Sequence, residues 1–322
     1  MRRVAITAYK TAELIEVPST SVPLGPKDVR GRTLVSLTSP GTELNANFMS
    51  RDYPSYPGYA SVFTVDEAGS GVADIPVGSA VLCSGSHQEF QQARRDDIVP
   101  VPAGLDPKRA LFARLAGVSM STLNTTAARP PSRVLVTGLG PVGNLAAQIF
   151  SICGFFVTAV DPVEKRRQSA RRAGVADVRP SIDHGAPDIV DNVALHVECS
   201  GHEQAVLDGC KCVRKRGEVV LVGVPWRKRT DIPAFDLLQA VFNRYVVLRS
   251  GWEWEVPHYR ADFRGNSIIE NYAAAMEWIA EGRIKTDELA TRYSPRQAQE
   301  VYDGLLQQSL PTPAAVFDWG LE

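Results

Sequence analysis

The sequence predicts an α/β protein in which a β-rich part is joined to a doubly wound parallel sheet. Three observations predict it. Residues 1 to about 105 are rich in Val, Thr, Ser, Gly and Pro, with short apolar runs separated by turn signals. From Arg133 onward, apolar runs alternate with helix-like stretches, the pattern of a parallel sheet covered on both faces. Between them, Val134-Leu135-Val136-Thr137 leads into Gly138-Leu139-Gly140-Pro141-Val142-Gly143 and then an apolar helix.

In the first part, Met1 to Ile6 reads as an opening strand, followed by strands at Val29 to Leu37, Ala60 to Val65 and Ser79 to Leu82. Asp66 to Gly71 and Pro76 to Gly78 are turns. Residues 106 to 127 are helical, with Ala110, Leu111, Leu115, Val118 and Leu123 as the apolar set, and Pro130-Pro131 closes them. In the second part, strands at Val134 to Val136, Phe155 to Val160, Ala194 to Val197, Val219 to Val222 and Tyr245 to Leu248 are expected. Helices at Val142 to Cys153, Val163 to Ala173, Gln204 to Val213 and Asp236 to Phe242 separate them. A helix from about Ile268 to Glu281 stops at Gly282, a suitable C-cap. A helix near Arg296 to Gln307 and a strand at Ala314 to Trp319 complete the chain.

A chain of 322 residues, 44% hydrophobic and 22% charged, can bury the core of two soluble domains. A net charge of −1 gives no global field for nucleic acid or an anionic membrane, so neither partner is expected. The N-terminus lacks an apolar stretch long enough for a signal peptide or a span. Five cysteines, without a CxxC pair, point to reduced thiols and a cytoplasmic protein. Cys210 and Cys212, one residue apart, have a poor spacing for metal.

The glycine-rich run has the context that its chemistry requires. Gly138 permits a tight turn, Gly140 lets the backbone approach a pyrophosphate, and Gly143 lets the helix pack closely on the sheet. The first helical turn, at Pro141 and Val142, presents a positive dipole end to phosphate. Asp161, 18 residues after Gly143, ends the next strand, where a carboxylate accepts hydrogen bonds from ribose hydroxyls. It would repel a 2′-phosphate, so NAD is expected, with NADP left open by Lys165-Arg166-Arg167 just beyond. Those three residues are either a phosphate holder or a solvated helix face. Ser200 in Glu198-Cys199-Ser200-Gly201, and Gly223 and Val224 in Val222-Gly223-Val224-Pro225, follow later strands. They are either cofactor contacts at the crevice or ordinary strand exits.

The order of elements, with Gly41-Thr42-Glu43, Pro57-Gly58-Tyr59, Val134 to Gly143, Glu198 to Gly201 and Glu218 to Gly223, resembles the medium-chain dehydrogenase/reductase superfamily across essentially the whole chain. The resemblance implies a GroES-like catalytic domain at 1–120 and 283–322, and a Rossmann dinucleotide domain at 121–282. In zinc members, one ligand Cys precedes a Gly-(Ser/Thr)-Asp motif, and a ligand His lies in Gly-His-Glu. Here Pro40 and Tyr59 stand at those positions, and the four-cysteine lobe of a structural zinc is missing. No metal is therefore expected. The Ser-Pro-Gly-Thr-Glu form resembles a zinc-free branch that includes bacteriochlorophyllide dehydrogenase-like proteins and sugar dehydrogenases.

Within that resemblance, Thr42 matches the position whose hydroxyl contacts the reacting oxygen, or is a turn residue. Glu43 is a base, orients a neighbour, or forms a structural ion pair. Tyr59 donates a hydrogen bond to the substrate oxygen or simply packs; an ordinary phenol pKa near 10 suits an acid better than a base. His87, in Ser84 to Phe90, is the first candidate for general base because histidine titrates near neutrality; a satisfied structural histidine is the competitor. His184, His196, His202 and His258 lack comparable context. Trp252 and Trp254, interleaved with Glu253 and Glu255, suit a polyhydroxylated ring, or are an alternating strand in a core or an interface.

The expected activity is hydride transfer between NAD(H) and a secondary alcohol or ketone on a sugar, cyclitol or other polar ring. An NADPH-dependent quinone or enoyl reductase, or an idle dinucleotide-binding protein, are the alternatives. The expected partner beyond substrate is a second copy of the chain, joined along Tyr245 to Leu248 to hide a sheet edge.

Overall fold

The computed structural model describes residues 1–18 and 23–321. It is α/β, as the residue pattern predicts, and divides into two units: Met1–Arg114 with Tyr272–Glu322, and Leu115–Asn271.

In the second unit, a six-stranded sheet runs in the order Asp177–Arg179, Phe156–Val160, Arg133–Thr137, Val193–Glu198, Val213–Leu221, Val247–Ser250. Every neighbouring pair is parallel. Numbered along the chain, this is the order 3-2-1-4-5-6 of a dinucleotide-binding sheet, whose crevice opens at the carboxyl ends where strand order reverses. The period-2 pattern explains why both faces are apolar. Val134 and Val136 pack with Ala146, Ala147 and Phe150 on one face. Leu135 packs with Leu207, Cys210 and Ala240 on the other.

Two expectations there are corrected. Tyr245 is not in the last strand; it caps the helix Ala234–Arg244 in the left-handed region at φ 54°, and the strand is Val247–Ser250. Trp252 to Glu255 is not an alternating strand either. Glu253–Glu255 is a 3₁₀ turn, because alternating large and acidic residues satisfy a tight turn as readily as a pleat.

The first unit is built on a seven-stranded sheet: Ala290–Tyr293, Ala314–Asp318, Asp28–Leu37, Ala60–Ala68, Ala80–Cys83 and Ile98–Pro100, with Phe90–Arg94 also on Asp28–Leu37. Its pairs are antiparallel except Ala290–Tyr293 with Ala314–Asp318. Gly31 lies at a bulge where a Cβ would stand 1.7 Å from the Thr64 carbonyl, so only glycine fits. A hairpin, Arg2–Ala8 with Thr11–Glu16, and the helix Ala298–Gln307 share a core of Val4, Ile6, Phe48, Val301, Tyr302 and Phe317. Gly282, at φ 74°, follows the helix Ile268–Ala280 as expected.

Candidate functional site

The glycine turn has a different constraint at each glycine. Gly138 sits at φ 82°, donates its amide to the Val160 carbonyl at 2.8 Å, and would push a Cβ to 2.7 Å from the Ser200 nitrogen. Gly143, in the first turn of the helix Pro141–Ile152, lies so close to the glycine turn that a Cβ would stand 1.8 Å from the Gly138 carbonyl. Gly140, the N-cap, is different: a Cβ there would meet nothing within 4 Å. Protein packing does not demand glycine at 140, and the space it leaves open lies beside the first-turn amides of Val142 and Gly143, which have no intrahelical acceptor. That geometry fits a diphosphate group.

Two buried carboxylates brace the turn. Asp161 is 0% exposed; its Oδ2 accepts from the Leu139 amide at 2.7 Å and its Oδ1 from the Val163 amide at 2.8 Å. Arg166 Nη1 lies 3.4 Å from Oδ2, and Arg167 donates to the Asp161 carbonyl at 2.7 Å. Asp161 thus stands where the sequence places it, with its side chain committed to the turn. Glu198 accepts from the Ser200 amide at 2.7 Å and the Gly201 amide at 3.0 Å, and from the Ser200 hydroxyl. Burial pushes its carboxyl above the usual range, against those donors. Gly223 packs on the same loop, where a Cβ would stand 2.3 Å from the Gly201 nitrogen. Gly138, Ser200 and Gly223 therefore line one end of three adjacent strands, and Val224 beyond them is exposed.

Sequence reasoning passed over His196. It is fully buried, its Nε2 lies 2.8 Å from the Thr137 hydroxyl, and burial pushes its pKa down to about 3. Gly209 explains how it fits, since a Cβ there would stand 1.8 Å from His196 Nδ1. A histidine inside an apolar strand is the signal that was available.

In the β-rich unit, Pro40–Glu43 forms a short helix and Leu44–Phe48 continues it as a π-turn. Glu43 reaches back to accept from the Ser39 amide at 2.6 Å. Its other oxygen accepts from the Tyr302 hydroxyl at 2.6 Å and lies 3.1 Å from His87 Nε2. His87 Nδ1 is 2.8 Å from the Ser36 hydroxyl, which also accepts from Trp319 Nε1 at 3.1 Å. The His87 ring meets Phe317 edge-on at 4.9 Å, and its backbone is tied to Pro57 and Val4. Glu43, His87, Ser36 and Tyr302 are all buried. Burial beside the Glu43 carboxylate raises the Tyr302 phenol well above its ordinary range. Ser36, Tyr302 and Trp319 carried no sequence signal, because they join Glu43 and His87 only through tertiary pairing.

Thr42 and Tyr59 are less enclosed than these four. Both are half-buried. Thr42 Oγ1 accepts from the Ser39 hydroxyl at 3.4 Å. The Tyr59 ring carries the Arg114 guanidinium 4.3 Å from its centroid. Gly58 precedes it at φ 143°, where a Cβ would lie 2.4 Å from Ser86 Cα. In the other unit, Trp252 and Trp254 are 66% and 55% exposed, whereas Glu253 between them is buried. The expected display of Glu253 alongside the indoles is not formed, because the 3₁₀ turn points it inward.

Residues 141–257 match the zinc-binding dehydrogenase family model. An alcohol dehydrogenase of Geobacillus stearothermophilus is 28% identical, over 81% of this chain and 85% of that protein. Galactitol-1-phosphate dehydrogenase from Escherichia coli has the same fold, with a TM-score of 0.84, 17% identity and coverage of 99% and 100% of the two chains. Acetophenone reductase from Geotrichum candidum, in complex with NAD, superposes with a TM-score of 0.79 at 18% identity, covering 98% and 96%. Family match, relatives and sheet order agree in one direction: over residues 141–257 the chain is similar to the zinc-binding dehydrogenases, along most of its length it is similar to alcohol dehydrogenases, and its fold is that of galactitol-1-phosphate dehydrogenase and acetophenone reductase.

Proposed function

We propose that this protein is a nicotinamide-dependent dehydrogenase that interconverts a secondary alcohol and a ketone without zinc, on a sugar, cyclitol or other polar ring. The observation that carries the reading is the open space at Gly140, the N-cap of the Pro141–Ile152 helix. The diphosphate of the cofactor is held there by backbone amides and the helix dipole.

When bound, the nicotinamide exchanges a hydride with the carbinol carbon; the protein has to bind, orient and move the hydroxyl proton. Thr42 and Tyr59 are the candidates for holding that proton, since both are half-buried where Glu43 and His87 are fully enclosed. Glu43 and His87 are fully enclosed, with every polar atom of His87 engaged, so their role is to fix the Ser39–Glu43 turn that carries Thr42. Support for zinc independence lies in the donor set. Pro40 and Tyr59 occupy the ligand positions, and among the described residues no three His, Cys, Asp or Glu side chains converge as a metal site. The exposed indoles of Trp252 and Trp254 support a ring substrate with a C–H face to stack.

A homodimer and a cytoplasmic setting complete the proposal. Val247–Ser250 is an edge strand, and the preceding helix exposes Phe235, Leu238 and Phe242. The cysteines are free thiols, and no helix of the described residues is long and apolar enough to cross a membrane.

The test is a screen of polyols, sugars and enones with each nicotinamide, following absorbance of the reduced ring. Oxidation of cyclic alcohols supports the proposal. Activity confined to enones with NADPH assigns the protein to quinone or enoyl reduction instead.

A further inference from the structure

We propose that Arg249 is a positioning residue that fixes the Trp252–Val256 turn, so that its two indoles form a preordered platform for the C–H face of a ring substrate. The proposal rests on the ring-stacking reading above and deepens it at one side chain.

The turn is shaped mainly by its own backbone. The Glu255 amide donates to the Trp252 carbonyl at 3.1 Å, the Val256 amide to the Glu253 carbonyl at 3.0 Å, and the Trp252 amide to the Ser250 hydroxyl at 3.1 Å. Glu253 and Val256 are buried and seat its inner side. Its outer side carries Trp252 and Trp254, which are more than half exposed, with Trp254 stacked on His258 at 6.3 Å between centroids.

Arg249 ties that outer side to the sheet. It is in register with Val220, so Glu218, two residues earlier, lies on the same face. Glu218 Oε2 receives Arg249 Nη2 at 3.3 Å and Nε at 3.4 Å, while Oε1 receives the Ala127 amide at 2.6 Å. Nη2 also donates to the Thr125 hydroxyl at 3.1 Å. At the other prong of the fork, Nη1 donates to Glu255 Oε2 and to the Ser250 carbonyl, both at 3.2 Å. The inner half of this clamp is firm, since the Glu218 side chain is 9% exposed; the outer half draws in Glu255, which is 51% exposed. Only a forked guanidinium spans both carboxylates, because an ammonium is a point charge that serves one.

The clamp also defines what the platform reads. With Glu253 buried and Glu255 turned to Arg249, no carboxylate stands between the indoles. They therefore recognise the flat C–H side of a ring rather than its hydroxyls. A pair already held in place avoids the entropy loss of ordering two large side chains on binding.

The experiment measures binding of cyclohexanol and myo-inositol by saturation-transfer NMR titration, with amide hydrogen exchange and thermal melts alongside. It compares the wild type with Arg249→Lys, Glu255→Gln and Trp252→Ala. Trp252→Ala should weaken ring binding about three- to tenfold, the worth of a stacked aromatic face. Arg249→Lys and Glu255→Gln should weaken it about two- to fivefold, the range of a part-exposed ion pair, and quicken exchange at Trp252 to Val256. Glu255→Gln should leave the melting temperature nearly unchanged, and it decides the matter if Arg249→Lys does not fold. A lowered melting temperature in Arg249→Lys, with ring affinity as in the wild type in both clamp variants, overturns the proposal; if Trp252→Ala still weakens binding, the ring-stacking reading stands. If the wild type binds neither compound, or Trp252→Ala binds as tightly as the wild type, both fall.

Discussion

The Tyr302 hydroxyl donates to Glu43 at 2.6 Å across 259 positions of sequence, and with His87 it closes a buried hydrogen-bonded chain that ends at Ser36 and Trp319. Each polar side chain in it has a partner, so removal of any one leaves another unmatched in a water-free place.

Tyr302→Phe takes one donor from the Glu43 carboxylate without changing the packing of the ring on Phe48, whose centroid is 5.2 Å away. The expected loss is about 1.5–3 kcal/mol of unfolding free energy, the range for a hydrogen bond to a charged group. Urea denaturation checks it. If Glu43 acts by position, turnover should persist in this variant at temperatures where it is folded; abolished turnover in a fully folded protein would assign Glu43 or Tyr302 a place in proton transfer.

Gly143→Ala and Gly140→Ala are expected to separate folding from binding. A Cβ at 143 is driven into the Gly138 carbonyl at 1.8 Å, so the turn must shift and stability should fall by more than about 1 kcal/mol. A Cβ at 140 meets no protein atom within 4 Å, so stability should change by less than about 1 kcal/mol, mostly from the poorer N-cap. Nucleotide affinity should nevertheless drop about tenfold or more at 140, where the methyl occupies the approach of the diphosphate. Thermal melts and nucleotide titration read the two effects independently.

Acid stability should carry the mark of His196. Its folded pKa, about 3, lies below the ordinary value of 6.5, so the unfolded chain binds the extra proton between those two pH values. Its contribution is full above pH 6.5 and is lost as pH falls towards 3, by up to roughly 4–5 kcal/mol. His196→Gln, which keeps a polar group near the Thr137 hydroxyl, should flatten the fall in unfolding free energy over that window. An unchanged slope in denaturant titrations at pH 4 to 7 would show that His196 is not the group responsible.

Phe242 is 81% exposed on the helix leading to the edge strand. Phe242→Arg should convert the proposed homodimer to a monomer, as light scattering after size exclusion reports, with little effect on the monomer's fold. A wild-type protein that runs as a monomer at high concentration removes this part of the proposal.

What the sequence made legible was local. The strand, turn and helix around Gly138 to Gly143 are one continuous segment, and their order fixes the crevice of a doubly wound sheet. The position of Asp161 was equally readable; its direction was not. Whether that carboxylate faces a ligand or the Leu139 amide depends on how two strand ends meet, which spacing does not encode. The same holds for Glu43 and His87, whose partners Tyr302, Ser36 and Trp319 come from distant strands and a C-terminal helix. Trp252 to Glu255 misled because a period of two along four residues is shared by a strand and a 3₁₀ turn with its flank. Tyr245 ended its helix with a positive φ, a conformation that its aromatic ring gives no reason to expect.

The central claim is that backbone amides at the Gly138–Gly143 turn hold a nicotinamide dinucleotide. Isothermal titration of the intact protein with NAD⁺ and NADP⁺, set beside Gly140→Ala, tests it most directly. Saturable binding of at least one nucleotide, with one site per chain and a marked loss in the variant, is the predicted result. A wild-type protein that stays folded and takes up neither nucleotide at millimolar concentration would contradict it.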